Sequence, residues 1–222
     1  MSKTGIVIVG AGSSQRMGMD KVFISLAEKP LLAWSVDVCQ SCELVDQIVI
    51  VLNESTLDLG RKLVAERGWS KVVEICLGGN RRQDSVRQGL NKLKGCDWVV
   101  IHDGARPFLT VDLIRDGLEA AQPTGVAVAA VPVKDTVKLG GSDMMVRETL
   151  NRQELWAVQT PQIFCFDIIA KAHEQIKGDF TDDASMVEQL GYEVKLYMGS
   201  YDNIKITTPE DLTLAELVVR KK

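Results

Sequence analysis

Four short, largely β-branched apolar runs recur in the first half of the chain: GIVIVG (5–10), DQIVIVLN (46–53), KVVEICL (71–77) and CDWVVIHD (96–103). Each is too short for a buried helix and reads as a strand covered on both faces. Segments with helical spacing separate them. PLLAWSVDVCQSC (30–42) is apolar at helical intervals, STLDLGRKLVAERG (55–68) starts at Ser/Thr and stops at glycine, and NRRQDSVRQGLNKL (80–93) offers Asn80 as an N-cap. A helix at 110–121, a strand at 125–133, strands at 192–199 and 203–207 (NIKIT) and a closing helix from Thr208 complete the pattern. In that last helix Thr208 is the N-cap, Pro209 takes the first turn and Asp211 is the third residue, a start signal with a physical basis. Such alternation predicts an α/β fold: a Rossmann-like three-layer sandwich around a mostly parallel, twisted sheet, with its first four strands in the order 3-2-1-4.

The 222 residues suit one domain, 1–222, broken in rhythm at about 134–158. There TVKL, GGSD and MMVRETL form a hairpin pattern too polar for a core. An isolated two-stranded hairpin is marginal in water, so this protruding β-arm is expected to pack on something, a second copy of the chain being one candidate. With 45% apolar and 25% charged residues the chain can bury a sizeable core, and a net charge of −4 argues against a nucleic-acid partner. The apolar runs are too short for a membrane span or a signal-peptide core, so a cytoplasmic protein is expected. The five cysteines are scattered and odd in number. Cys39 and Cys42 form a lone CxxC at the end of a helical stretch and read as packing residues rather than half of a zinc site.

The first strand runs into GAGSSQRMG (10–18), close to a dinucleotide fingerprint. The third small position is Gln15, and the acid that should follow about 20 residues on, at the end of the second strand, comes far later at Asn53–Glu54. A nicotinamide oxidoreductase is therefore disfavoured. The loop instead adds Arg16 and Lys21 to backbone N–H groups suited to phosphate, an arrangement that fits departure of pyrophosphate. Ligands of open α/β sheets sit beyond the carboxyl ends of the strands. There the chain carries LGGNRRQDS (77–85) and IHDGARPF (101–108), the latter placing Asp103 opposite the glycine loop. A carboxylate facing a phosphate cradle is expected to need a divalent cation between them, Mg²⁺ being the natural choice.

The set GAGSSQRMG…K, GGNRRQDSV, HDGARPF, PVKDTVK, LWAVQTPQIF, TDDAS and DNIKITTPEDL strongly resembles the 2-C-methyl-D-erythritol 4-phosphate cytidylyltransferase family, in family order and over nearly the whole chain. The resemblance implies a Mg²⁺-assisted reaction of CTP with a polyol phosphate, in a homodimer that exchanges arms. It implies that Ala11, Gly12, Ser13 and Ser14 wrap the CTP phosphates, with Arg16 and Lys21 as the transition-state pair. Gly79, Asn80 and Ser85 match its cytosine and ribose contacts, with Arg81 and Asp84 in the same motif. Asp103 and Gly104, with Arg106, match its ribose and metal segment, Asp103 being the metal candidate. Arg152 and Lys205 would position the second phosphate, aided by Thr136, Thr160 and Thr181; Thr136 and Arg152 fall on the arm. Gly10 stands where the family usually has proline. No side-chain nucleophile is required, because the phosphate of the second substrate can attack the α-phosphorus itself. His102 is therefore expected to be a packing or hydrogen-bonding residue, and His173 a surface one. A cytidylyltransferase for another polyol phosphate, such as ribitol 5-phosphate, is the nearest alternative. A non-catalytic nucleotide binder is a further one.

Overall fold

The structure, a computed structural model, describes residues 2–12 and 21–221. Its strands are β1 (Thr4–Val9), β2 (Ser25–Leu26), β3 (Lys29–Pro30), β4 (Gln47–Leu52), β5 (Val72–Leu77), β6 (Trp98–Asp103), β7 (Val126–Pro132), β8 (Lys138–Gly140), β9 (Val146–Thr149), β10 (Trp156–Cys165) and β11 (Lys195–Met198). The helices are α1 (Leu31–Ser41), α2 (Leu57–Arg67), α3 (Arg82–Leu90), α4 (Val111–Ala121), α5 (Phe166–Gln175), α6 (Ala184–Gln189) and α7 (Pro209–Arg220).

Seven strands form the central sheet in the order β11-β7-β10-β6-β1-β4-β5, which contains the expected 3-2-1-4 order of the first four. All neighbours run parallel except β10, which is antiparallel to both β6 and β7. Side-chain alternation divides the core between the two faces. Ile6, Ile8, Ile48 and Ile50 meet α1, α2 and α4 on one side, while Val7, Val49, Val51 and Ile101 meet α3, α5 and α6 on the other. These side chains are fully buried, and each contributes roughly 1.5–3 kcal/mol of transfer free energy. Helix α7 closes a third cluster with Leu26, Leu31, Phe108 and Ile206. Cys39 and Cys42 are both buried in the first cluster as free thiols.

Helix boundaries follow local chemistry. Gly68, at φ 63°, caps α2 in the left-handed region that glycine adopts without penalty. Thr208 Oγ1 accepts from Asp211 N, and the Asp211 carboxylate accepts from Thr208 N at 2.9 Å, so α7 starts as its sequence predicts. Helix α3 starts one residue later than expected: Arg81, not Asn80, is its N-cap, because Asp84 reaches back to Arg81 N and to the Arg81 guanidinium.

The segment 203–207 is not a strand. Its polar groups bond to single partners instead of to a ladder: Asn203 Nδ2 donates to Thr160 O in β10 and Ile206 N to Ala105 O in the loop after β6. His173 is buried on α5, not a surface residue, because α5 turns it against the fully buried Asp183. The hairpin β8–β9 projects from the 134–158 region with every residue of its two strands exposed, while residues 156–158 already pair with β7 as the start of β10. Among the described residues no helix is long and apolar enough to cross a membrane.

Candidate active site

Three loops carry parallel hydrogen bonding one step past their strands: Gly10 N donates to Val51 O, Gly78 N to Leu52 O and Gly104 N to Val9 O. The glycine loop, the loop before α3 and the loop after β6 are thereby held side by side at the carboxyl edge. Gly78 permits the closest approach, since a Cβ there would lie 2.4 Å from Ala11 Cβ and 2.6 Å from Ser85 Oγ. Between the loops opens a cavity of about 590 Å³, lined by Ala11, Gly12, Lys21, Gly79, Asn80 and Ser85 among others. A second cavity of about 410 Å³ lies on the β10 side and includes Arg106, Thr160 and Thr181. Among the described residues three line both cavities and form a wall between them: Arg82, Asp103 and Lys205.

Asp103 ends β6 opposite Val9 of β1, at the point where the sheet order reverses. Its Oδ1 pairs with Arg82 Nε at 3.1 Å, and its Oδ2 with Lys205 Nζ at 2.8 Å and Arg106 Nε at 3.6 Å. Burial alone pushes this carboxyl upward, but the charges of Arg82, Lys205 and Arg106 together hold it well below the usual carboxylate range. The negative charge expected to require a divalent cation is thus offset by the protein's own cations. Among the described residues no group of three or more His, Cys, Asp or Glu side chains gathers to hold a metal. With both oxygens ion-paired, Asp103 does not fit as the ligand of a resident divalent ion, which favours free oxygen ligands.

Behind the wall, His102 is fully buried. Its Nε2–H donates to Arg106 O at 3.0 Å, since a carbonyl can only accept. Its Nδ1 therefore accepts from the Thr160 hydroxyl at 3.2 Å, and that oxygen accepts from Asp103 N at 3.0 Å. Burial pushes the imidazole down to about 4, so it is neutral at pH 7. His102 is a hydrogen-bonding residue that fixes the end of β6. Thr160, expected at the substrate, has its hydroxyl engaged in this chain while still bordering the second cavity. Lys205 reaches the wall because its segment is tied down on both sides, by Arg106 Nη1 to Asn203 O at 2.7 Å and by Ile206 N to Ala105 O.

The structure thus brings Ala11, Gly12, Lys21, Gly79, Asn80, Ser85, Asp103, Arg106, Thr160, Thr181 and Lys205 to the two cavities. Gly104 is set beside them, with its N–H on β1. Thr136 and Arg152 stand on the arm, outside the lining of either cavity, where Arg152 Nη1 donates to Lys134 O. Ser13, Ser14 and Arg16 lie outside the described residues. Arg82 was missed from the sequence, as was its second partner, Asp183, whose Oδ2 lies 2.5 Å from Arg82 Nη1. A usable signal existed: Arg82, Val86 and Gly89 fall at i, i+4 and i+7, on the face that packs against the sheet, whereas Arg81 falls off it.

The family described as 2-C-methyl-D-erythritol 4-phosphate cytidylyltransferase matches residues 4–221. A protein of that name from Dehalococcoides mccartyi (strain CBDB1) is 50% identical over 220 residues, 99% of this chain and 97% of its own. One from Alkaliphilus oremlandii is 43% identical, over 100% of this chain and 97% of its own. Among solved structures, a 4-diphosphocytidyl-2C-methyl-D-erythritol synthase from Anaerococcus prevotii is similar, with a TM-score of 0.89, 28% identity and 99% of both chains covered. A 2-C-methyl-D-erythritol 4-phosphate cytidylyltransferase from Thermus thermophilus superposes with a TM-score of 0.77 at 31% identity, covering 96% of this chain and 98% of its own. The family match and the shared fold are those of a nucleotidyltransferase, an enzyme that transfers a nucleotidyl group to a second substrate. Within that class the chain belongs to the 2-C-methyl-D-erythritol 4-phosphate cytidylyltransferase family.

Proposed function

We propose that this enzyme transfers the cytidylyl group of CTP to 2-C-methyl-D-erythritol 4-phosphate, giving 4-diphosphocytidyl-2-C-methyl-D-erythritol and pyrophosphate, as a step of isoprenoid biosynthesis. A phosphate oxygen of the polyol phosphate attacks the α-phosphorus of CTP. One P–O bond forms there, the bond to the bridging oxygen of the β-phosphate breaks, and pyrophosphate leaves with that electron pair. Such a reaction needs positioning and charge neutralisation more than a protein nucleophile. The observation that carries the reading is the shared wall: two polar cavities that share Arg82, Asp103 and Lys205 among their described lining would bring two anionic substrates together across fixed positive charge.

In this reading Ala11 and Gly12, with Ser13 and Ser14, cradle the triphosphate, and Arg16 and Lys21 offset charge on the α-phosphate and leaving group. Gly79, Asn80 and Ser85 hold base and ribose, with Asp103 and Gly104 beside them. Arg106, Thr160, Thr181 and Lys205 receive the polyol phosphate. Thr136 and Arg152 serve the second cavity from the arm of a partner copy. This dimer is supported by the exposure of Leu139, Met144, Met145 and Val146 on the hairpin. A bound Mg²⁺ would neutralise triphosphate charge, and the reading takes it as arriving on CTP, because the carboxylate of Asp103 is already paired.

Pyrophosphate release with CTP and a panel of polyol phosphates tests the assignment. Turnover is expected with 2-C-methyl-D-erythritol 4-phosphate; preference for ribitol 5-phosphate would move the enzyme to the neighbouring specificity. Lys21→Ala is expected to keep the fold and lose about a hundredfold or more in kcat, the size of effect seen when one charge-stabilising donor is removed.

A further inference from the structure

Asp183 is a fully buried carboxylate behind the cleft, and the proposed reaction leaves it without a task. It sits in a turn pinned to the middle of β10. Gln162 Nε2 donates to Asp182 Oδ2 at 2.9 Å, Ala184 N donates to Gln162 Oε1 at 3.2 Å, and Ser185 N donates to Asp182 Oδ1 at 3.2 Å. The backbone at 182–185 is thereby held, and the Asp183 side chain is turned inward. A buried carboxylate is costly unless paired, and its partner here is Arg82. On its other side, Oδ1 faces His173 Nε2 at 3.5 Å without a hydrogen bond.

Arg82 thus stands between two carboxylates, with Nη1 on Asp183 and Nε on Asp103, and it borders both cavities. The planar fork presents Nη1 and Nε to the two acids in fixed directions, which the rotating donors of an ammonium do not. Were Asp183 neutral, the guanidinium would be free to turn fully onto Asp103 as a bidentate pair, competing with Lys205 for the same carboxylate. We propose that Asp183 is a positioning residue: its buried charge holds Arg82 lengthwise along the wall between the two cavities, leaving the second oxygen of Asp103 to Lys205. The kinetic consequence rests on the two-cavity reaction proposed above; the positioning itself does not.

Three full-length variants test this: D183N, D183E and R82K. Because Arg82 borders both cavities, D183N is expected to lower kcat/KM for CTP and for the polyol phosphate alike. The loss should be about tenfold to a hundredfold, as for a misplaced group at a reacting centre. D183E, which keeps the charge, is expected to retain several-fold more activity than D183N, and R82K to show the same joint loss as D183N. A merely space-filling or helix-capping role gives the reverse order, since asparagine is isosteric and an equally good cap. D183N with wild-type constants, D183N as active as D183E, or R82K with wild-type constants each overturns the proposal. Should D183N not fold, the R82K result and the D183E result decide it. A second readout needs no substrate: the ¹⁵N–¹H signal of Arg82 Nη1, the donor that meets Asp183 and is identified by its loss in R82K, should exchange slowly with solvent in the wild type and fast in D183N. That signal reads the positioning even if the wild type fails to release pyrophosphate, an outcome that would remove the proposed function alone.

Discussion

Replacing Asp103 with asparagine removes the charge on which the wall converges while keeping its shape. The carboxylate is 9% exposed and meets cations at 2.8, 3.1 and 3.6 Å. Removing one member of a buried ion pair costs about 3–5 kcal/mol, because the remaining charge is left uncompensated. Two features place this case at the lower end, about 3 kcal/mol. Lys205 is 36% exposed and can turn to water, and Arg82 keeps Asp183. For a chain of this size that corresponds to a fall in melting temperature of roughly 6–12 °C. The variant also leaves Arg82, Arg106 and Lys205 seeking an anion, so inorganic pyrophosphate should raise its melting temperature more than the wild type's, by ligand linkage. Differential scanning calorimetry with and without pyrophosphate measures both effects. D103N melting at the wild-type temperature, or gaining no more from pyrophosphate than the wild type does, would refute the claim that this carboxylate offsets the cations of the wall.

His102 is held neutral, its folded value near 4 lying below the ordinary 6.5. The unfolded chain therefore binds the extra proton first, and the contribution to stability is present above pH 6.5 and lost as pH falls toward 4, up to about 3 kcal/mol. Urea unfolding across that window should fall less steeply for His102→Gln than for the wild type; equal slopes would show that His102 does not carry the effect. Gly78→Ala would place a Cβ 2.4 Å from Ala11 Cβ, costing about 1–3 kcal/mol of overpacking and displacing the glycine loop. Calorimetric titration should find weaker CTP binding, and wild-type melting and affinity together would count against the close approach. On the arm, Met144 is 89% and Met145 66% exposed. Replacing both with aspartate should convert a dimer to monomers in sedimentation velocity, whereas a monomeric wild type would end the dimer reading.

Much of the architecture is legible in the residues. The β-branched runs at 5–10, 46–53 and 96–103 carry their strand identity in local pattern, and their carboxyl-end loops carry the glycines and charges. Strand β10 is harder to read. Its middle holds Gln159, Thr160, Pro161 and Gln162, and proline and polar residues argue against an interior strand. Those polar groups are satisfied only by tertiary partners: Gln159 by Ser200, Thr160 by His102 and Asp103, and Gln162 by the 182–185 turn. The opposite error occurs at 203–207, where alternating residues look like a strand but bond to the middle of β10 and the loop after β6 instead of joining a ladder. The buried His173 was hidden for a similar reason: its partner, Asp183, is brought near only by packing.

The linear chain determined which segments become strands and helices, and that glycine-rich, charged loops crown the carboxyl ends of strands, because those properties reside in side-chain periodicity and backbone chemistry a few residues long. Only the tertiary structure decided how the charges are shared. Arg82 leaves the start of α3, Lys205 an irregular segment near the end of the chain, and Asp183 a turn pinned to β10; all are gathered, directly or through Arg82, around Asp103. Coulomb interaction depends on distance through space and on the exclusion of water, and both are set by packing rather than by position along the chain.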